Sequence, residues 1–154
     1  MTRKEKAMQY FLDGYNCSQC IILTFEDVIG TDVELALKIA SPFGGGMGRL
    51  REVCGSVSGM FMVLGYVYGY NSPTDKEGKK VLYEYVQELA RRYEEENGSI
   101  ICRELLGLDV KRQDPTPEER TKEYYKNRPC TEKIGSAAEI LETFLIEQGI
   151  LKTK

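Results

Sequence analysis

The chain has no histidine and no tryptophan in 154 residues. Without imidazole the commonest general base is missing, and with it Ser-His and Cys-His nucleophile pairs, mixed Cys/His zinc sites and the Cys-x-x-Cys-His attachment of a c-type haem. A surplus of positive charge is missing too. The formal net charge of −3 excludes a general nucleic-acid binder, because displacing counterions from phosphates requires a basic face. Long hydrophobic runs are also absent. The longest, Val57 to Tyr70, is interrupted by Gly59, Gly65 and Gly69 and falls short of the roughly 20 residues that cross a bilayer, so it reads as a buried helix and no membrane association is expected. Met1-Thr-Arg-Lys-Glu-Lys is charged and leads into no apolar core, so neither a secretory signal nor an anchor is expected, and the expected location is cytoplasmic.

What remains is the composition of an ordinary globular chain, 42% hydrophobic and 29% charged, of a length that predicts one domain over residues 1–154. Its local signals are helical. Ser or Thr followed three residues later by Glu lets two side-chain oxygens accept orphan N–H groups at a helix start. The pattern occurs as Thr2/Glu5, Thr31/Glu34, Thr74/Glu77 and Thr116/Glu119, the last with Pro117 at the first helical position. Asn16 is placed to cap a helix from Cys17 to about Ile29, and Ser99 one from Ile100 to Leu106. Leu82, Tyr85, Val86, Leu89 and Tyr93 form an apolar stripe ending at Asn97-Gly98, and Ile134, Ala137, Ala138, Leu141, Phe144 and Leu145 form another ending at Gly149. No sustained alternation supports a sheet. The expected fold is all-α, a compact bundle of seven or eight helices with a glycine-rich loop between the third and fourth. The polar connector 109–117 is expected to be a surface loop, and apolar helices in this number are compatible with a homodimer.

Five cysteines carry the chemistry: Cys17, Cys20, Cys54, Cys102 and Cys130. Four of them, all but Cys20, fall in or beside the first turn of an expected helix, where unpaired N–H groups and the macrodipole favour a thiolate, the form that attacks disulfides and binds metals. A free cysteine is more often a small buried hydrophobe, and inert thiols in a structural or regulatory protein are the alternative reading. Cys17-x-x-Cys20 has the spacing of a disulfide or a shared metal, but no βαβ pattern follows to make it thioredoxin-like.

The second unusual segment is Pro42-Phe-Gly-Gly-Gly-Met-Gly-Arg-Leu-Arg, whose glycines must serve positive φ angles or close backbone approach. Gly44, Gly45, Gly46 and Arg49 are the candidate anion-holding residues, since successive N–H groups beside Arg49 and Arg51 make a nest. With no preceding strand and no Gly-Lys-Ser/Thr ending, nucleotide binding is not expected, and the loop is read as packing against the cysteine site. Arg49 and Arg51 are also placed to lower the pKa of Cys54.

Taken together, Gly14-Tyr-Asn-Cys-Ser-Gln, Phe43-Gly-Gly-Gly-Met-Gly-Arg with Glu52-Val-Cys-Gly-Ser-Val-Ser-Gly, Asn97-Gly-Ser-Ile-Ile-Cys-Arg-Glu-Leu-Leu-Gly and the late Cys130 resemble the C_GCAxxG_C_C family of redox-active proteins, over roughly residues 8–145. The resemblance implies that Cys17, Cys54, Cys102 and Cys130 are the characteristic cysteines, that they share one site and that they are the catalytic residues of a redox chemistry. Around Cys54 the family has Ala where this chain has Ser56, a change of small for small. Two kinds of chemistry are open. Cys17 or Cys54 attacks a disulfide, of a partner protein or a small molecule, and a second cysteine resolves it. Alternatively Cys17, Cys20, Cys54, Cys102 and Cys130 supply thiolates to an iron–sulfur cluster or zinc.

Overall fold

A computed structural model describes every residue except Thr31, Val110, Lys111 and Lys154. Among the described residues the protein is all-α, with nine right-handed helices: α1 (Arg3–Leu12), α2 (Cys17–Thr24), α3 (Glu26–Ile29), α4 (Val33–Ala40), α5 (Gly55–Tyr68), α6 (Lys76–Asn97), α7 (Cys102–Leu105), α8 (Lys122–Asn127) and α9 (Cys130–Glu147). A short 3₁₀ turn follows α4 at Ser41–Phe43. The helix expected over 17–29 is divided in two. Thr24 returns its hydroxyl to the Cys20 carbonyl at 2.7 Å, a bond that bends helices, and Phe25 leaves helical geometry at φ −114°, ψ 27°. That division raises the count from eight to nine and puts the glycine segment between α4 and α5.

Local capping decides most starts. Thr2 and Glu5 form the expected reciprocal box, and Asn16 forms one with Gln19. Two expected starts shift by a residue or two. Asp75 rather than Thr74 accepts from the Gly78 N–H, because the Thr74 hydroxyl is engaged with Ser72. Helix α7 starts at Cys102, with Ser99 accepting from the Ile101 N–H just outside it. The Thr116 start fails. Asp114 takes the Thr116 N–H in a local turn, and the next helix begins only at Lys122, capped by Thr121. The Thr31 cap lies outside the described residues, and α4 is capped by Asp32, which accepts from Leu35.

Five helices share the core. Helix α1 lies along α9, α2 lies along α5, and α6 closes over α5 and α9. Phe11, Ile21, Phe25, Met60, Leu64, Leu89, Tyr93, Leu141 and Phe144 are buried between them. The α2–α5 approach depends on missing side chains: a Cβ at Gly59 would stand 2.8 Å from the Ile21 Cβ, and one at Gly55 would stand 2.9 Å from the Cys17 Cβ. This close packing brings the first turns of α2 and α5 together. No strand forms among the described residues, but one antiparallel bridge, Val53 with Ile101, sets the start of α5 beside that of α7, with the Cys54 N–H donating to the Ile100 carbonyl at 2.8 Å. None of the described helices is long and apolar enough to cross a membrane.

Candidate active site

Cys17, Cys102 and Cys130 are the first residues of α2, α7 and α9, and Cys54 is the N-cap of α5. All four line one cavity of about 70 Å³. The packing of α2 on α5, the bridge between the starts of α5 and α7, and α9 lying across α2 and α5 bring them there from more than a hundred residues of sequence. Cys17 and Cys130 are half-buried, whereas Cys54 and Cys102 are nearly closed off. All five cysteines are free thiols.

Cys20 is not in this group. It is fully buried in the core, its S–H faces the Tyr15 carbonyl at 3.7 Å, and burial pushes its pKa up to about 12. A three-residue step on a helix turns the side chain about 60° from its starting direction, enough for Cys17 to face the cavity and Cys20 the core. The Cys-x-x-Cys spacing therefore does not mark the site.

The four cavity thiols have different partners. Cys17 and Cys130 line the same cavity, and each thiol shifts the other's titration. The Cys17 thiol, and then the guanidinium groups of Arg128, Arg51 and Arg120, hold the Cys130 thiol down at about 7 against the opposing effect of burial. The neighbouring Cys130, followed by burial, holds Cys17 well above the ordinary thiol range. Within this pair Cys130 is the thiol that is lowered and Cys17 the one that is raised. The sequence reading gave the thiolate to Cys17 or Cys54. Cys130 is favoured instead because it begins an 18-residue helix beside Arg128, two residues before it, with Arg51 and Arg120 brought from elsewhere in the chain.

Cys54 lies 3.0 Å from the Ser56 hydroxyl and 3.6 Å from the Tyr93 hydroxyl, both buried. The serine that stands in place of alanine therefore gives Cys54 a polar partner, which its small size alone did not suggest. Arg51 donates from Nη1 to the Cys102 sulfur at 3.5 Å. Burial still raises Cys102 above the ordinary thiol value, with Arg51 opposing.

The glycine segment forms the wall behind Cys102. Residues 45 to 49 all have positive φ, as does Arg51, so the chain makes a left-handed turn closed by the Gly48 N–H on the Gly44 carbonyl. Met47 and Arg49 are held there despite their Cβ atoms. The connector clamps the turn: Arg49 Nε donates to the Asp114 carbonyl at 2.6 Å, Arg51 Nε donates to the Gln113 side chain at 2.8 Å, and the Gln113 N–H donates to the Arg49 carbonyl. Of the four candidate anion-holding residues, Gly45 and Gly46 line the cavity, while Gly44 packs on Asn16 and Arg49 is directed to the connector. Arg51 faces Cys102, whereas Arg49 and Arg51 were expected to act on Cys54.

Several cavity residues are absent from the sequence reading. Arg120 and Tyr124 arrive from the connector and α8, while Arg128, two residues before Cys130, had a signal that was not used. So did Lys133, which lies one turn after Cys130 on the same helix. A metal requires convergent donors, and among the described residues no three Cys, Asp or Glu side chains form a group that could hold an ion. In this arrangement Cys54 has Ser56 and Tyr93 as its neighbours, and Cys102 has Arg51.

In comparison with known proteins, residues 15–144 match the model of the family described as "Putative redox-active protein (C_GCAxxG_C_C)". No curated protein and no solved structure matches the chain.

Proposed function

Since this chain belongs to the C_GCAxxG_C_C family, we propose that its redox chemistry is thiol–disulfide exchange, with Cys130 as nucleophile and Cys17 as resolving thiol. The observation that carries the reading is that Cys17 and Cys130, the half-buried two of the four cavity cysteines, share the cavity with Arg128, Arg51 and Arg120, which lower the Cys130 thiol.

The Cys130 thiolate attacks one sulfur of a substrate disulfide. A Cys130–substrate disulfide forms, the substrate S–S bond breaks, and the departing thiolate takes up the proton that Cys17 holds. Cys17, now a thiolate beside Cys130, attacks the Cys130 sulfur and releases the second substrate sulfur as a thiolate, which is protonated by water. Two electrons pass from the pair to the substrate, leaving a Cys17–Cys130 disulfide that an external dithiol returns to the reduced state. Arg128, Arg51 and Arg120 stabilise the attacking thiolate throughout. Cys54 and Cys102, more deeply buried, are the walls of the site in this scheme.

The test is trapping. Cys17→Ser keeps a hydroxyl donor beside Cys130 but removes the resolving sulfur, so treatment with a small disulfide should leave a stable adduct, located on Cys130 by peptide mass spectrometry. Cys130→Ser should yield no adduct at that cavity on the same timescale. Adducts forming equally fast on Cys54 or Cys102 in the Cys130→Ser protein would remove the role assigned to Cys130.

A further inference from the structure

The charge of the cavity is opposite to that of the chain. The protein has a formal net charge of −3, yet the cavity is lined by Arg51, Arg120, Arg128 and Lys133 and by no Asp or Glu. Buried or half-buried cations ordinarily have a carboxylate partner, because an unpaired charge out of water is costly. Here only Arg128 has one, Glu118. Arg51 is 5% exposed, and its bonds go to the Gln113 amide oxygen and the Cys102 sulfur. Arg120 donates to the carbonyls of Phe11 and Tyr15 and lies over the Phe11 ring. Lys133 has no ion-pair partner among the described residues and lies one turn after Cys130. One thiolate does not neutralise three such cations. The first turns of α2, α5 and α9 add partial positive charge on the same side.

We propose that the cavity selects a small disulfide bearing a carboxylate near its sulfur: the anionic group seats among Arg51, Arg120 and Lys133 and presents the S–S bond to Cys130. This rests on the exchange chemistry proposed above and specifies its substrate class. A cavity of about 70 Å³ accepts such a head group and excludes a folded partner except by an extended tip. The electron balance is that already given, with two carboxylate-bearing thiols as products and an external dithiol as reductant.

The experiment uses the reduced full-length chain and three disulfides of matched length: dithiodipropionate, a dianion; bis(2-hydroxyethyl) disulfide, neutral; and cystamine, a dication. Formation of the Cys17–Cys130 disulfide is followed by stopped flow, and each anion-to-neutral rate ratio is divided by the same ratio for 2-mercaptoethanol, which cancels the intrinsic reactivity of each disulfide. The normalised ratio should be about tenfold or more at low ionic strength and should decline toward unity in molar salt. Lys133→Ala should lower it several-fold; because one thiolate attacks both disulfides, a change in Cys130 itself cancels in the ratio. A normalised ratio of one or less, or cystamine reacting fastest after the same correction, overturns the substrate assignment while leaving the exchange chemistry in place. If none of the three disulfides oxidises the pair, the exchange chemistry is overturned and this assignment with it. The salt series needs no variant, so it decides the matter even if Lys133→Ala does not fold.

Discussion

At neutral pH, Cys130 is expected to react with iodoacetamide at least about two orders of magnitude faster than Cys20. The thiolate is the reacting species. With a pKa of about 7, roughly half of Cys130 is thiolate at that pH; with a pKa of about 12, Cys20 is thiolate in only about one molecule in a hundred thousand. Lower basicity also makes a thiolate less nucleophilic, with a Brønsted coefficient of about 0.4–0.5, which returns two or more of those five decades. Burial of Cys20 in the core acts in the same direction as the pKa. The sign with pH is fixed: the Cys130 rate should rise as pH passes upward through about 7 and level off well below the pH at which an ordinary thiol titrates. Labelling resolved by peptide mass spectrometry gives the profile for each cysteine. A Cys130 midpoint at or above the ordinary thiol value would show that Cys17 and the three arginines do not stabilise its thiolate.

Gly46→Ala is expected to cost about 2–5 kcal/mol of folding stability, more than any other single methyl addition in the glycine segment. The glycine has φ +64°, and a left-handed conformation costs an L-residue about 1–2 kcal/mol. Its Cβ would stand 2.6 Å from the Cys102 Cβ, 2.8 Å from the Arg51 Cα and 2.9 Å from the Glu52 N. Two of these neighbours are backbone, clamped through Arg51 and Gln113 to the connector, so relief of the clash requires the site wall to shift, at an overpacking cost of about 1–3 kcal/mol. Gly48→Ala is the control. It has nearly the same φ, +60°, but its Cβ would meet only the Pro42 carbonyl oxygen at 3.8 Å, so it should show the conformational cost alone. Urea denaturation of the two variants separates clash from conformation. Equal losses would mean that the wall behind Cys102 yields freely.

Helix existence was legible in the sequence because capping is local. Thr2 with Glu5 and Asn16 before Cys17 declare their helix starts within four residues, and the structure has both. Thr116 shows the limit of the same signal, since Asp114, two residues upstream, competes for the N–H that a cap would need. The placement of Cys17, Cys54, Cys102 and Cys130 at helix starts was legible for the same local reason. Their convergence depends on α2 packing on α5 without Cβ atoms at Gly55 and Gly59 and on α9 crossing both, and the sequence offered only the shared helix-start context and the family resemblance for it. The sequence points to Cys17 or Cys54 as the thiolate through their helix starts and, for Cys54, through the nearby Arg49 and Arg51. Arg128, two residues before Cys130, was legible in the same way, whereas Arg51 and Arg120, which also lower Cys130, reach it only through the fold. The left-handed φ angles were legible at Gly45, Gly46 and Gly48 but not at Met47 and Arg49, whose conformation is imposed by the clamp of Asp114 and Gln113.

The central claim is that Cys17 and Cys130 form the redox couple, and the most direct measurement is the connectivity of the first disulfide made when the reduced protein is oxidised by less than one equivalent of a small disulfide. Trapping the remaining thiols by rapid acid quench and alkylation, then mapping cross-linked peptides by mass spectrometry, reads it without any substitution. The account predicts a peptide containing Cys17 joined to one containing Cys130, with Cys20, Cys54 and Cys102 recovered as alkylated thiols. A first bond between Cys54 and Cys102, or between Cys17 and Cys20, would contradict it.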